Sequence, residues 1–423
     1  MIGFNLKRAI SMSFGTIAAV SLAVGAVTEA NSTNDDATLS SLSLKLPPQA
    51  QIIDIASFVS LPVVPPTSEY NGTTIWIPPG KSRQDLINQP FLVYDKDFLD
   101  IIGDDPTLTI VAESAKDPIF HEAVVWYPPT DEVFFAQNAG HPDSGTGLNK
   151  SSIVQKISME EAMEVASEGK DGRVKVHRVD SNPQVINPNG GTNYKGDILF
   201  TGEGMGNKTA PALYAVNPVP PYNATILANN FYGRQFNSLN DVSVNPRNKH
   251  IYFTDPLYGY FQDFRPAPVL PIQVYRLNPD TKAITVVASE FDQANGITFS
   301  PCGRYAYIAD SGAQHVNLGY FYSAPTTIYR FTVAEDGTFE DRKTFAFADN
   351  GIPDGIHCDS NGNIYAGCGD GVHVWNKSGK LLGKIFTDGV SANFQFAGDG
   401  RMIICAETRL YLATVAAKGA PIQ

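Results

Sequence analysis

The chain has 423 residues, of which 43% are hydrophobic and only 17% charged, with 36 Gly and 29 Pro. That is enough apolar material for a large core, and the turn-residue content fits a β-rich protein better than a helical one. The net charge of −12 argues against nucleic acid or an anionic membrane as partner, because phosphate binding needs a basic surface.

Lys7 and Arg8 precede an apolar stretch, Ala9–Val27, followed by small residues at Ala26, Thr28 and Ala30. This predicts a signal peptide over 1–30, with an uncleaved anchor as the alternative. The expected location is extracellular, reached through the secretory pathway, with no membrane contact after cleavage. Six N-x-S/T sequons, at Asn31, Asn71, Asn149, Asn207, Asn223 and Asn376, support a secreted glycoprotein. Residues 31–106 are rich in Pro, Ser, Thr and Asn, show neither helical nor strand period, and read as an extended N-terminal arm. From 107 to 415 the chain is a succession of short strands and turns, with 416–423 as a C-terminal tail. The one helix signal is "SMEEAMEVASEG", with Ser158 and Glu161 placed for a capping box and Gly169 as the stop. Cys302, Cys358, Cys368 and Cys405 are an even count compatible with one or two disulfides and lack metal-type C-x-x-C spacing.

Grouping the strands in fours reveals a repeat. An oxygen-bearing side chain heads each unit: Glu122, Asn189, Asn240, Asn295, Asp354 and Asn393. The third unit reads "DVSVNP", "HIYFTD", "IQVYRLNP", "ITVVASE". The sixth has only three strands before the chain ends, and a spare strand, "TLTIVAES" at 107–114, precedes the first. Pairing the spare strand with the last unit closes a ring and removes an exposed edge. The expected fold is therefore all-β, a six-bladed β-propeller over 107–415.

In such a ring the first strand of each blade is innermost, so the heads converge on one end of the central channel. Glu122, Asn240, Asn295 and Asp354 would then gather carboxylates and amides that repel or go unsatisfied when dry. One hard cation relieves this, and an irregular all-oxygen site favours Ca²⁺ over Mg²⁺ or Zn²⁺. Each Asn or Asp taken singly has a local alternative, bonding its own backbone at a turn. Their joint placement is what points to a shared site.

The stretches "FHEAVVW", "LNDVSVNP…IYFTDPLYG", "NGITFSPCGRYAYIADSG" and "PDGIHCDSNGNIYAGCGDGVHVW", in that order, resemble the motifs of the gluconolactonase family. These are calcium six-bladed propellers that include regucalcin (senescence marker protein), and the resemblance covers about 107–415. His121-Glu122 and the long N-terminal arm look most like fungal secreted lactonohydrolases. The resemblance implies metal ligation by Glu122, Asn295 and Asp354, with Asn240 binding substrate or completing the metal shell. It also implies that Asp354 is the catalytic proton donor and acceptor. One departure stands out: regucalcin-like members carry Arg two residues before the third-blade Asn, where this chain has Ser238.

The implied activity is calcium-dependent opening of lactones, aldonate or related hydroxy-acid lactones among them, to hydroxy acids. Loops after the second strands should wall the cavity. They carry Asn138, His141, Glu203, Asp255, Tyr258, Asp310, His315, Asp370 and Glu407. From these His141, Glu203, Asp255 and Tyr258, together with His121 and Asn240, form the expected substrate-binding set. Two other readings stay open: a broader paraoxonase-like arylesterase or phosphotriesterase, and a non-catalytic propeller that binds a ligand. No G-x-S-x-G, P-loop or G-x-G-x-x-G followed by a helix occurs, which lowers serine-hydrolase and nucleotide readings. The oligomeric state and the particular lactone have no signature in the sequence.

Overall fold

A computed structural model describes residues 45–168, 173–398 and 400–422. The expected signal peptide and the first part of the arm lie outside the described residues. Six sheets, antiparallel apart from one added strand in the fifth, follow one another along the chain, opened by the strands Glu122–Tyr127, Pro188–Tyr194, Val242–Val244, Ala294–Phe299, Ile356–Cys358 and Asn393–Phe396. Each of these first strands touches the first strand of the blade before and of the blade after, and the last touches the first. They therefore form a closed inner ring, and the fold is a six-bladed β-propeller.

The ring closes as the strand count requires. Thr107–Glu113 pairs antiparallel with Arg409–Thr414, with Thr107 opposite Thr414 and Thr109 opposite Leu412, and supplies the fourth strand of the sixth blade. Blade packing follows from strand alternation. In Glu132–Ala136, Phe134 points into the layer between blades one and two, while Val133 and Phe135 point into the layer between blades six and one. Tyr252 and Phe253 split in the same way between their two neighbouring layers. Central strands buried on both faces need apolar residues at every position, which is why these segments read as continuous hydrophobic runs.

The N-terminal segment departs from the irregular arm expected over 31–106. Ala50–Ile52 pairs in parallel with Phe91–Val93, and Phe91–Val93 pairs antiparallel with Leu381–Phe386, so the fifth blade has six strands. Three-residue strands are too short for a period to show in sequence. What holds them is a layer of buried side chains, Phe91 and Phe98 against Val372 and Val374. The helix expected after Ser158 spans Met159–Ser167, with the Ser158 hydroxyl accepting from the Glu161 amide at 3.4 Å. Gly169 lies outside the described residues. All four cysteines are free thiols rather than disulfides. Cys358, Cys368 and Cys405 are buried as small apolar side chains in the inter-blade layers.

Candidate active site at the blade heads

Three of the six heads are placed by β-bulges. The register slips between Glu122 and Val125, between Pro188 and Gly191, and between Ala294 and Ile297. A bulge bends its strand and re-aims a side chain, here those of Glu122, Asn189 and Asn295. Glycine directly after a head allows neighbouring heads to crowd the axis. A Cβ on Gly296 would lie 2.2 Å from the Asp354 carbonyl oxygen, and one on Gly355 2.4 Å from Cγ of Asn393. The dipeptides Asn295-Gly296 and Asp354-Gly355 are the sequence trace of that crowding.

Glu122, Asn189, Asn240, Asn295 and Asp354 line a single cavity of about 340 Å³. The Glu122 carboxylate accepts from Nδ2 of Asn393 at 2.6 Å and from the Ala123 amide at 3.2 Å. Its carboxyl group and the Asn295 amide lie close enough to the Asp354 carboxyl to influence its proton affinity. Burial, then the Asp354 charge beside it, pushes Glu122 well above the usual carboxylate range. Burial likewise raises Asp354 to about 6, against a smaller opposing effect from His121. The amide oxygens of Asn189, Asn240 and Asn295 are buried with no hydrogen-bond partner. Such orphaned acceptors are costly. Two close carboxylates and three unpartnered amide oxygens make a donor set that suits a hard cation taking several oxygen ligands.

His121, His141, Glu203 and Tyr258 line the same cavity. His121 Nδ1 lies 2.8 Å from Oε1 of Glu407, whose Oε2 accepts from Nδ2 of Asn138 at 3.3 Å. Burial lowers the proton affinity of His121, but the carboxylates of Glu407, Asp354 and Glu203 together more than offset it, and the net shift is upward. The second blade brings Glu203 to the same cavity, raised to about 7 by burial. Its Oε2 accepts from the Ser238 hydroxyl at 2.5 Å, and that hydroxyl in turn accepts from the Gly259 amide at 3.0 Å. Ser238 is fully buried, and the Glu203 carboxyl sits over it. The Tyr258 hydroxyl accepts from Nδ2 of Asn295 at 3.5 Å, which ties it to a head.

Asp255 is a correction to the expected substrate-binding set. It is fully buried and is not among the residues lining the cavity. Its two carboxylate oxygens accept the backbone amides of Asn237 and Ser238 at 3.1 and 2.9 Å. Asp310 does the same one blade later, for Asp292 and Gln293. Both are spent on holding the loop that leads into the inner strand of their own blade. Asp370 is also engaged elsewhere, with Nε2 of His373 at 2.5 Å and Nζ of the buried Lys384 at 3.0 Å.

Part of the cavity wall comes from outside the propeller strands. The turn around Asn71–Thr74 reaches the mouth and places Thr73 on the lining, beside Tyr320 and Ile352. The Gly351 amide donates to the Gly72 carbonyl at 2.6 Å, and the Tyr320 hydroxyl donates to the Gly351 carbonyl at 2.8 Å. Gly72 and Gly351 are 279 residues apart in sequence, so no local pattern reveals their contact.

A family model described as the SMP-30/Gluconolactonase/LRE-like region matches residues 205–416, just over half of the chain. Lactonohydrolase oryL of Aspergillus oryzae is 27% identical over 341 residues, covering 75% of this chain and 72% of that protein. Among solved structures, the gluconolactonase XC5397 of Xanthomonas campestris aligns with a TM-score of 0.61 at 24% identity, over 77% of this chain and 95% of its own. A calcium-binding protein, regucalcin, of Agrobacterium tumefaciens aligns with a TM-score of 0.50 at 13% identity, over 74% of this chain and 98% of its own. The fold, the matched region and these likenesses agree: the chain belongs to the SMP-30/gluconolactonase/LRE-like family.

Proposed function

We propose that the protein is a calcium-dependent hydrolase that opens lactones to hydroxy acids in the cavity at the blade heads. The observation that carries this reading is the set of orphaned amide oxygens of Asn189, Asn240 and Asn295 beside the Glu122 and Asp354 carboxyls. Glu122, Asn240, Asn295 and Asp354 would hold the cation, with Asn189 as a further oxygen. The lactonohydrolase and gluconolactonase names of similar proteins support the ester chemistry, and a calcium-binding regucalcin of like fold supports the metal.

Bound there, Ca²⁺ would supply Lewis-acid polarisation of the lactone carbonyl and charge stabilisation for the oxyanion. The chain supplies the rest. Asp354 takes a proton from the attacking water, which then bonds to the carbonyl carbon. The acyl C–O bond of the ring breaks, and the proton ends on the ring oxygen as the new hydroxyl. Burial raises the metal-free Asp354 carboxyl to about 6, and a cation bound beside it would lower it again, so its strength as an acceptor depends on how closely it holds the metal. Glu407 fixes Nδ1 of His121 and leaves Nε2 to contact water or substrate, so His121 orients the reacting oxygen. The test is a panel of lactones, aryl esters and phosphotriesters, assayed with calcium and with chelator. Calcium-dependent turnover of lactones alone supports the reading. Equal turnover of aryl esters or phosphotriesters favours a broader hydrolase, and no turnover of any class favours a binding protein. We propose further that the protein acts outside the cell, in line with the N-terminal segment and the sequons; mass measurement of the secreted protein tests this.

A further inference from the structure

We infer that one wall of the cavity, completed by the N-terminal segment, selects lactones that carry an apolar substituent on the ring; this rests on the lactone-hydrolase reading. The wall is made by Val316, Tyr320, Ile352 and Val390, with Thr73 at the mouth. Its two hydroxyls are already committed. Thr73 Oγ1 donates to Oδ1 of Asn71 at 2.8 Å, and Tyr320 donates to the Gly351 carbonyl at 2.8 Å. Neither hydroxyl is left to donate, so a polyhydroxylated ring would give up water around each of its hydroxyls and find few partners on this wall. Two buried polar groups on this side remain open, Nδ2 of Asn350 and Oγ of Ser391. They can serve one oxygen of the lactone, not a row of hydroxyls.

Two further observations point the same way. Val316 has φ +46, in the left-handed region that a β-branched residue adopts only at a cost. The strain is maintained at a position whose side chain lies on the cavity. The same loop leaves Leu318 60%, Phe321 46% and Tyr322 59% exposed, and Val390 on the lining is itself 48% exposed. An apolar substituent leaving the ring would cover part of this surface, and burial of apolar area on both sides is the gain. The turn at Asn71–Thr74, held to Gly351, fixes the far edge of the wall.

The experiment compares kcat/KM for δ-valerolactone, δ-octalactone, δ-decalactone and glucono-δ-lactone with calcium present. The rate constant should rise along the alkyl series, by roughly fourfold for each methylene that the wall buries, and glucono-δ-lactone should be the poorer substrate. Val390→Asp, at a half-exposed site, should lower kcat/KM for δ-decalactone at least tenfold more than for δ-valerolactone. Thr73→Lys, at the exposed mouth, should shift selectivity in the same direction, with both variants melting like the parent protein. Turnover that ignores chain length, or equal losses along the series, overturns the wall while leaving lactone hydrolysis standing. If no lactone is opened, the melting shift caused by δ-decalactone decides separately. A shift larger than with δ-valerolactone keeps the wall and overturns the hydrolase reading, and no difference overturns both.

Discussion

Asp354 is asked to do two things that oppose each other. As a cation ligand it should hold its charge, and as an acceptor of a water proton it should give that charge up. Asp354→Asn separates the roles, because it keeps the shape and one oxygen but removes the charge and the proton-accepting oxygen. If Asp354 is the base, kcat should fall on the order of 100-fold or more at saturating calcium. Activity restored by raising calcium would make it a ligand only, and His121 would be the next base to test. Ser238 gives a second prediction at this scale. The sequence shows only that Ser stands where regucalcin-like members have Arg. The structure shows why the exchange is not free: Ser238 is fully buried, with Glu203 on one side and Gly259 on the other. Ser238→Arg should therefore overpack the wall and cost about 1–3 kcal/mol, read as a lower midpoint in denaturant, besides changing the lactones accepted. That pairing was illegible in the sequence because Glu203 and Ser238 lie in neighbouring blades and share no local motif.

At the scale of elements, the inner strands were the readable part. The head residues were visible as a repeat because every blade must place a side chain at the same point of the same ring. Thr107–Glu113 was visible because a three-stranded last unit leaves an edge that needs a partner. Asp255 misled for a physical reason. It sits at the end of a second strand, as Glu203 and Glu407 do near theirs, but the backbone amides of Asn237 and Ser238, just ahead of its own blade's head Asn240, capture its carboxylate. Sequence gives the position of an acid and not the competition for it. The closing strand supports a direct prediction. Val111 is fully buried between the sixth and first blades, so Val111→Asp leaves an unpaired charge there. The expected cost is about 3–5 kcal/mol, seen as a large drop in melting temperature. A variant that melts like the parent would mean that the strand does not close the ring.

Across the ring, six apolar layers alternate with six sheets, and among the described residues the cavity at the heads gathers a cluster of buried carboxylates. Four carboxylates, Glu122, Glu203, Asp354 and Glu407, face His121 and His141 there. This couples metal, pH and stability. In the metal-free protein Glu122 and Asp354 have folded pKa values raised above their ordinary ones, Asp354 from 3.8 to about 6. For a carboxyl with a raised folded pKa, its contribution to stability is present below about pH 4 and is lost as pH rises through about 6. Calcium bound as proposed would neutralise the ionised pair. The gap in melting temperature between calcium-loaded and chelated protein should therefore be small near pH 4 and widen up to about pH 7. A gap that shrinks over that range contradicts a shared site at these two carboxyls. The N-terminal segment was the least legible part at this scale. Its strands are three residues long, and its reach to the cavity depends on contacts such as that of Gly72 with Gly351, which only the assembled ring brings together.

The most direct test is the initial rate of lactone opening by chelator-stripped protein as Ca²⁺ is added back. The proposed function predicts a rate near the uncatalysed background in the stripped protein, and a saturable return to full turnover with calcium. Full turnover after verified removal of the metal would contradict it.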